Sequence, residues 1–548
     1  MRRDSSGWST RLDEETVTRF TRSGQWTGVT LAQCARERAR QEPDRLAVVD
    51  GDARLTFQQL YERGLRLASA LRRAGLRPGD VISFQLPNWN EAMVLNLAAA
   101  IGGFVCNPII PIYRDAEVGF ILKSSRTRVL FVPEAFRSTD YLAMVERLRP
   151  SLPDLKEVVT VRSVRDGYAC FDRWLSREVD DLIKIERSFP EVDPNAVKLL
   201  LYTSGTTGNP KGVLHTHNTL RAEIDAVVAF WRLTSKDVVL MPSPVTHITG
   251  YLYALELPFA VAMKAVLMER WDPAQGVRLI AEHGASFSIG ATPFLVELVS
   301  EVERQQMALP SLRLYGSGGA PVPPEVVKRA MSVLPNCVTF RVYGSSEAPT
   351  VSLGVASGDP AERGATTDGK IANNEVRIVD SDGCDVEEGR EGEILVRGPE
   401  VMVGYTDPRH TEEAFDERGF FRSGDLGFVD EQGYITISGR KKDLIIRGGE
   451  NISPKEVEDV LHCHPAVVEA AVVAMPHQRL GETVCAYVVL RPGAMLELPD
   501  VVAFLENAKL ARQKFPERLV VVDELPHTAS GKVLKHVLRA RIAAESRH

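Results

Sequence analysis

Several features that would assign this 548-residue sequence to particular protein classes are missing from it. Its seven cysteines are scattered from Cys34 to Cys485 without a paired spacing, which argues against a disulfide framework and for reduced thiols. There is no excess of basic charge: the formal net charge is −7, so we expect no nucleic-acid partner. Internal repeats and low-complexity tracts are absent as well.

A long apolar run and a leader-like N-terminus are also missing. The best membrane candidate, Ala92 to Cys106, is short for a transmembrane helix, contains Asn96, and is followed by Asn107 and Pro108. It fits a buried helix better. The first residues carry charge but no apolar stretch of the signal-peptide type. We therefore expect no transmembrane segment and a cytoplasmic location.

The residues that are present are those of a large globular protein. Hydrophobic residues make up 44% of the chain, which is ample for a large core, and the length predicts two to four domains. Short β-rich runs such as Val81–Leu86 alternate with helical patterns, and this alternation predicts α/β layers.

The pattern changes after about residue 375, where short strands alternate with Asp- and Gly-containing turns and predict a small antiparallel β-barrel or meander. The charged segment Ser438–Leu444 marks a candidate boundary. We predict a large N-terminal domain of residues 1–439, made of α/β subdomains plus the small β-barrel. A small, mobile α+β C-terminal domain of residues 440–548 follows it, with a last helix from Lys532.

One loop carries a strong chemical signal. An apolar strand ending at Tyr202 runs into Thr-Ser-Gly-Thr-Thr-Gly-Asn-Pro-Lys-Gly, residues 203–212. Glycines let backbone N–H groups approach a phosphate, hydroxyl groups add donors, and lysine adds positive charge. It is not a Walker A motif, because Pro210 directly precedes Lys211. His215 and His217, which follow the loop, are interpreted as packing residues.

The loop resembles the signature of the adenylate-forming superfamily, which includes acyl-CoA synthetases, luciferases and peptide-synthetase adenylation domains. Further motifs similar to those of this superfamily follow in order, so the resemblance covers nearly the whole chain. They lie at Tyr343–Glu347, Phe421–Asp425, Gly439–Asp443, Gly448–Glu458 and Pro526–Lys532. Within the superfamily, the chain looks most like cyclohexanecarboxylate-CoA ligases and short- to medium-chain acyl-CoA synthetases.

The resemblance implies that ATP, Mg²⁺ and coenzyme A are the cofactors. It assigns ATP binding to Thr203, Ser204, Gly205, Thr206, Thr207, Gly208, Lys211, Gly318, Gly319, Ala320, Tyr343, Gly344, Ser345, Ser346, Asp425 and Arg440. Glu347 would be the Mg²⁺ ligand, since Mg²⁺ takes hard oxygen ligands alongside substrate phosphates. Asp425 would accept the ribose hydroxyls, and Thr206 is placed with the catalytic residues.

The resemblance also implies a moving lysine. Lys532 would bridge the carboxylate of the acid and the α-phosphate of ATP, which offsets the repulsion between two anions. The C-terminal domain would then rotate about Lys442, so that Lys532 leaves and Gly448 and Gly449 line the tunnel for the CoA thiol.

The acid pocket is assigned by the same resemblance to His247, Ile248 and Gly318. Ile248 favours an apolar acid, because an unpaired hydroxyl in an apolar pocket costs about 1–3 kcal/mol. We predict an AMP-forming acid–CoA ligase for an alicyclic, aromatic or medium-chain acid. Two alternatives stay open: an acyl-AMP ligase that transfers to a carrier protein or an amine, and a non-catalytic nucleotide-binding protein. A homodimer is left open as the assembly.

Overall fold

The computed structural model describes residues 1–176, 181–203, 210–527 and 532–545. Its strands are β1 (Arg2–Arg3), β2 (Ser9–Thr10), β3 (Leu46–Asp50), β4 (Ala53–Thr56), β5 (Val81–Phe84), β6 (Val105–Pro108), β7 (Val129–Val132), β8 (Ala135–Phe136), β9 (Thr139–Asp140), β10 (Glu157–Thr160), β11 (Ala169–Cys170), β12 (Val197–Thr203), β13 (Lys211–Thr216), β14 (Val238–Met241), β15 (Lys264–Leu267), β16 (Phe287–Gly290), β17 (Leu314–Gly318), β18 (Val338–Val342), β19 (Glu375–Val379), β20 (Gly392–Arg397), β21 (Gly404–Tyr405), β22 (Phe421–Val429), β23 (Ile435–Arg440), β24 (Ile445–Arg447), β25 (Glu450–Ile452), β26 (Val467–His477), β27 (Gly481–Leu490) and β28 (Arg518–Val521).

The α-helices are α1 (Glu14–Arg22), α2 (Leu31–Gln41), α3 (Phe57–Arg73), α4 (Asn90–Gly102), α5 (Asp115–Ser125), α6 (Tyr141–Leu148), α7 (Phe171–Ser176), α8 (Leu182–Arg187), α9 (His217–Trp231), α10 (Ile248–Gly250), α11 (Leu257–Val261), α12 (Pro273–His283), α13 (Thr292–Gln305), α14 (Pro324–Val333), α15 (Arg363–Thr366), α16 (Pro408–Ala414), α17 (Pro454–Leu461), α18 (Leu498–Asn507) and α19 (Lys535–Glu545). A π-helical stretch covers Tyr251–Glu256, and 3₁₀ turns cover Arg149–Ser151, Lys441–Asp443 and Arg512–Lys514.

The first large sheet has the strand order β11-β10-β7-β5-β6-β12-β13-β21. It is parallel as far as β12 and then antiparallel through β13 and β21. Strands such as β7 are buried on both faces, which explains their unbroken apolar sequence. The antiparallel pairing sets Thr203 opposite Lys211, so the two ends of the predicted phosphate loop are neighbours on adjacent strands.

The second large sheet has the order β18-β17-β16-β14-β15-β3-β4 and is parallel apart from the β3–β4 hairpin. Ligands of open parallel sheets bind beyond the carboxyl ends of the strands. At that edge, β14 leads into the His247 segment, β17 ends at Gly318, and β18 leads into Tyr343. The sheet therefore gathers three segments that the sequence analysis assigns to one site.

Helix α4 lies in the largest core cluster, together with side chains from both large sheets. Nearly all of its residues are buried, which is typical of a helix that is apolar on every side. This agrees with the interpretation of the Ala92–Cys106 run as a buried helix rather than a membrane span. None of the helices in the described residues combines the length and the apolarity needed to cross a bilayer.

The last two sheets are antiparallel and smaller. Strands β19, β20, β22 and β23 form the predicted meander, and no ladder among the described residues closes it into a barrel, because β23 leads into the Lys441–Asp443 turn. The other sheet runs β25-β24-β27-β26, with β28 beside β27. The helix predicted from Lys532 begins at Lys535 instead, because Val533 forms a β-bridge with His527 that keeps this stretch extended.

The first 26 residues form a strap, and no sequence signal predicts it. The backbone N–H of Arg11 donates to Val403 O at 2.8 Å, and the Arg11 guanidinium stacks 3.6 Å from the centre of the Phe415 ring. Trp26 is 3% exposed, and its indole N–H donates to Pro399 O at 2.8 Å. The strap thus joins the N-terminus to the chain between β20 and β22.

Replacing Trp26 should loosen this strap. We expect Trp26→Ala to lower the free energy of unfolding by about 3–5 kcal/mol, because it leaves a cavity and an unpaired carbonyl group. Urea unfolding followed by circular dichroism measures the change. Met495→Ala, at a side chain that is 91% exposed, is the control and should stay within about 0.5 kcal/mol of the parent. Equal stabilities of the two variants would contradict a structural role for the strap.

Candidate active site

The phosphate loop is anchored at both ends by the β12–β13 pair. Thr203 ends β12 and Lys211 begins β13, and the Thr203 hydroxyl donates to the Lys211 carbonyl oxygen at 3.4 Å. At Gly212, the second residue of β13, a Cβ atom would lie 2.8 Å from the Thr406 side chain, which favours a glycine here. The remaining predicted loop residues, Ser204, Gly205, Thr206, Thr207 and Gly208, lie outside the described residues.

Glu347 lies close to the end of this loop. Its carboxylate Oε1 accepts a hydrogen bond of 2.9 Å from the Tyr405 hydroxyl, and the Nζ atom of Lys211 lies 5.3 Å from the centre of the Tyr405 ring. The Glu347 main-chain oxygen accepts from the N–H of Met402 at 2.7 Å. Burial and the negative charge of Glu347 raise the pKa of Tyr405, so the phenol stays protonated and acts as the donor.

The turn before Glu347 is shaped by its own small residues. The Ser345 hydroxyl accepts from the N–H groups of Glu347 and Ala348, both at 3.2 Å. At Gly344 a Cβ atom would approach Thr350 N to 2.3 Å, so only glycine fits. His215, a residue of β13, also contacts this turn: its Nε2 lies 2.7 Å from the Ser346 carbonyl oxygen. Burial lowers the pKa of His215 to about 4, so the ring is neutral and donates this bond from one nitrogen.

Asp425 and Arg440 form an ion pair across neighbouring strands. They lie opposite each other in the β22–β23 ladder, and the Nε of Arg440 is 2.7 Å from Asp425 Oδ1. The Tyr343 hydroxyl donates to the other oxygen, Oδ2, at 2.8 Å. Asp425 is only 4% exposed, so these two contacts fix the plane of its carboxylate. A ribose diol that binds here would meet a carboxylate that is already oriented.

Lys532 reaches this cluster from the other end of the chain. Burial and the positive charge of Arg440 lower its pKa, while the negative charges of Asp425 and Glu347 act in the opposite direction. Burial and the nearby charge of Lys532 in turn lower the pKa of His247 to about 4. The structure therefore brings Lys532, Glu347, Asp425, Arg440 and His247 into one electrostatic neighbourhood.

The predicted acid pocket and the predicted ATP-binding residues Gly318, Gly319 and Ala320 lie at the carboxyl edge of the second sheet. Ile248 is buried, and the glycine that ends α10, Gly250, is required because a Cβ atom would meet Pro244 O at 2.1 Å. Gly318 packs just as tightly, since a Cβ atom there would lie 2.4 Å from Val342 O. Gly319 has a positive φ of 78° and turns the chain toward Ala320.

Gly448 and Gly449 belong to a hairpin of the C-terminal region. They form the tip of the β24–β25 hairpin, with φ values of 61° and 93°. The N–H of Gly448 donates to Leu480 O at 2.8 Å, so the tip is held by its own small domain. Lys442 lies in the turn between β23 and β24, and burial together with the charge of Arg440 lowers its pKa.

Comparison with known proteins decides the family. A profile described as AMP-binding enzyme matches residues 35–406, and one described as AMP-binding enzyme C-terminal domain matches residues 456–532. The chain belongs to the AMP-binding enzyme family. The predicted membership of the adenylate-forming superfamily is thereby confirmed, and so is the prediction that the chain is an enzyme.

Curated relatives and a solved structure of this family align along nearly the whole chain. The medium-chain fatty-acid–CoA ligase of Escherichia coli (strain K12) is 38% identical over 535 residues, 97% of this chain and 94% of that protein. The 3-[(3aS,4S,7aS)-7a-methyl-1,5-dioxo-octahydro-1H-inden-4-yl]propanoyl:CoA ligase of Rhodococcus jostii (strain RHA1) is 34% identical over 517 residues, 93% of this chain and 98% of that protein. The crystal structure of the anthranilate CoA ligase AuaEII in complex with anthranoyl-AMP superposes with a TM-score of 0.86 at 24% identity, covering 95% of this chain and 98% of that one.

The superposition confirms the predicted mixed α/β fold with a large N-terminal and a small C-terminal domain. The roles of individual residues and the boundary at residue 439 stay predictions. His215 is fully buried, which agrees with its interpretation as a packing residue, but sequence reasoning missed its contact with Ser346 and the contact of Tyr405 with Glu347. For His215 a signal existed: it lies four residues after Lys211 on the same strand, and alternate strand residues share one face.

The neutral state of His215 predicts a pH effect on stability. Its pKa lies at about 4, below the ordinary 6.5, so the unfolded chain binds the proton first and stability is lost as pH falls from 6.5 to 4. His215→Gln keeps a donor but cannot titrate. Between pH 4 and 6.5, the slope of the free energy of unfolding against pH should therefore be smaller in this variant than in the parent protein. The difference in slope should be up to about 1.4 kcal/mol per pH unit.

Urea midpoints measured between pH 4 and 7 check this expectation. His536→Gln, at an exposed histidine of α19, controls for the loss of a histidine as such. A His215→Gln curve that runs parallel to that of the parent protein would show that folding does not lower the pKa of His215, contrary to the expectation.

Proposed function

We propose that this chain is an AMP-forming acid–CoA ligase, which converts an apolar carboxylic acid to an acyl-adenylate and then to its CoA thioester. The observation that carries the proposal is the burial of Lys532, from the C-terminal part of the chain, within the electrostatic reach of Glu347 and Asp425, whose negative charges act on its pKa. Family membership and the names of the two curated relatives support the same reaction.

The first half-reaction begins with ATP held at the end of β12. Lys211, Thr203 and the loop between them bind the phosphates, while Asp425 and Arg440 orient the ribose. Mg²⁺ would be held by Glu347 and would supply charge that offsets the phosphates when bound. The donor fits this ion: Glu347 offers a carboxylate with one oxygen bonded to Tyr405, and Mg²⁺ binds through one or two carboxylates plus substrate phosphates.

Lys532 then lowers the repulsion between the substrate carboxylate and the α-phosphate of ATP. An oxygen of the substrate carboxylate attacks the α-phosphorus, one O–P bond forms, and the bond to pyrophosphate breaks. The ammonium group of Lys532 contacts both the carboxylate and the α-phosphate, so it lowers their repulsion as charge gathers on the phosphoryl oxygens. His247, with its pKa at about 4, is neutral at pH 7 and lines the pocket without competing for the carboxylate.

The second half-reaction needs a different arrangement of the two domains, which we divide at residues 439 and 440. The C-terminal domain rotates about Lys442, Lys532 leaves, and Gly448 and Gly449 form the wall along which the CoA thiol enters. The sulfur attacks the acyl carbon, and AMP departs with the bridging oxygen. The influence of Asp425 and Glu347 on the pKa of Lys532 supports the adenylation arrangement for the present structure.

The acid itself is apolar. Buried Ile248 offers no partner for a hydroxyl or a charge, and the names of the relatives include a medium-chain fatty acid and a fused-ring propanoate. An alicyclic, aromatic or medium-chain acid is therefore the substrate class. The enzyme acts in the cytoplasm on small molecules. An acyl-AMP ligase that serves a carrier protein or an amine is the second candidate, because the adenylation machinery would be the same.

Separating the two half-reactions tests the proposal. Lys532→Ala should lower acid-dependent pyrophosphate release at least about 100-fold, because the charge that stabilises the transition state is lost. Thioester formation from supplied acyl-adenylate and CoA should stay within about threefold of the parent, since Lys532 is absent from that arrangement. Lys514→Ala, at a lysine that pairs with Glu456 in the same domain, is the control and should keep both rates.

Equal loss of both half-reactions in Lys532→Ala would contradict the domain rotation. A screen of acids by mass spectrometry of CoA thioesters separates the remaining candidates. Pyrophosphate release without any thioester would favour the acyl-AMP ligase. No release with any acid would favour a nucleotide-binding protein without catalysis.

A further inference from the structure

We propose that Tyr405 is a positioning residue: its hydroxyl fixes the carboxylate of Glu347 in the orientation needed to hold the metal–ATP complex. The inference rests on the proposed role of Glu347. Its central observation is the 2.9 Å hydrogen bond from the Tyr405 hydroxyl to Glu347 Oε1. Tyr405 is 5% exposed and belongs to none of the motifs that identify the superfamily in this sequence.

Tyr405 is itself held firmly. Strand β21 pairs with β13, which sets Tyr405 opposite Val213 and Gly404 opposite Leu214. The N–H of Tyr405 donates to the Thr411 hydroxyl at 2.8 Å. The phenol ring therefore stands on backbone that is fixed from two sides, and its hydroxyl can serve as a stationary donor.

Glu347 needs such a donor because its carboxylate rotates easily. The terminal torsion of a glutamate side chain is broad, so one carboxylate oxygen sweeps a range of positions unless something restrains it. The Met402 and His215 contacts restrain the main chain at residues 346 and 347, but the hydrogen bond from Tyr405 acts on the carboxylate itself. With Oε1 engaged, the plane of the carboxylate is set before the nucleotide arrives.

A phenol suits this task better than a cation would. A lysine or arginine that bonded to Glu347 would neutralise the carboxylate and compete with the metal for its charge. The O–H group of Tyr405 orients the carboxylate and leaves its negative charge intact. The Lys211 ammonium lies over the face of the same ring, 5.3 Å from its centre, so one side chain connects the lysine of the phosphate loop with the metal ligand.

Binding of ATP with Mn²⁺ in the absence of any acid tests this inference without relying on turnover. Tyr405→Phe keeps the ring and removes only the donor. We expect it to weaken Mn²⁺–ATP binding about 10- to 100-fold, the usual effect of losing a group that orients a metal ligand. The measurement is isothermal titration of the full-length enzyme with ATP at fixed Mn²⁺, followed by the Mg²⁺ dependence of pyrophosphate release.

The matched control is Tyr434→Phe. The Tyr434 hydroxyl donates to Asp359 Oδ2 at 2.8 Å and accepts from the N–H of Ala356 at 3.2 Å, and the side chain is 1% exposed. This variant therefore also loses a phenol–carboxylate bond, together with one bond to the main chain, but away from Glu347. Its Mn²⁺–ATP affinity should stay within twofold of the parent protein. Equal weakening in the two variants would assign the Tyr405 effect to general loss of stability and overturn the inference.

A double-mutant cycle distinguishes the failure of this inference from the failure of the proposed function. Glu347→Gln should weaken Mn²⁺–ATP binding, and adding Tyr405→Phe to it should change the affinity less than twofold. If Glu347→Gln binds Mn²⁺–ATP weakly while Tyr405→Phe binds it normally, only the role of Tyr405 is overturned. Normal binding in Glu347→Gln would overturn the metal-ligand role of Glu347, and with it the inference.

If Tyr405→Phe does not fold, Thr411→Val takes its place. This change removes the acceptor of the Tyr405 N–H and leaves both the phenol and the carboxylate. Weaker Mn²⁺–ATP binding by at least threefold would support the inference, because the donor is then less well fixed. Unchanged binding in this variant would overturn it.

Discussion

The arrangement of the site depends on the position of strand β13 between β12 and β21. Antiparallel pairing with β12 closes the phosphate loop, because Thr203 and Lys211 become direct neighbours. Pairing with β21 on the other edge brings Tyr405 beside the same strand, and His215 farther along it reaches the chain at Ser346. The metal ligand and the phosphate loop come from segments that are far apart in sequence, and this strand sets the distance between them.

The second requirement of the site is a positively charged side chain that enters it for adenylation and leaves it afterwards. In the proposed mechanism, Glu347 lies at the polyphosphate of ATP and Asp425 at the ribose, so both add negative charge to a site that already binds an anionic nucleotide, and the site needs compensation during adenylation. Burial and Arg440 lower the pKa of Lys532, and the two carboxylates offset part of that effect. A cation fixed permanently in this place would attract the negatively charged AMP and oppose its departure. In the proposed mechanism, a lysine on a separate domain lets the same site perform two reactions.

The sequence was informative where a residue is required by local chemistry. Gly212, Gly250, Gly318 and Gly344 tolerate no Cβ atom, and the charged residues of the motifs are brought together as the family resemblance implies. Contacts between segments that are distant in sequence could not be predicted from the sequence. Tyr405 and Glu347 are 58 positions apart, and His215 and Ser346 are 131 apart, so no periodicity connects them. The start of α19 was misplaced for the same reason, because the bridge between Val533 and His527 is a tertiary contact.

The most direct test of the proposed reaction traces one carboxylate oxygen atom of the acid. The enzyme is incubated with ATP, CoA and octanoate that carries ¹⁸O in both carboxylate positions, and the products are analysed by mass spectrometry. If the carboxylate attacks the α-phosphorus, the AMP that is released contains one ¹⁸O atom and the pyrophosphate contains none. Octanoyl-CoA formed together with unlabelled AMP, or with ¹⁸O in pyrophosphate or orthophosphate, would contradict activation through an acyl-adenylate.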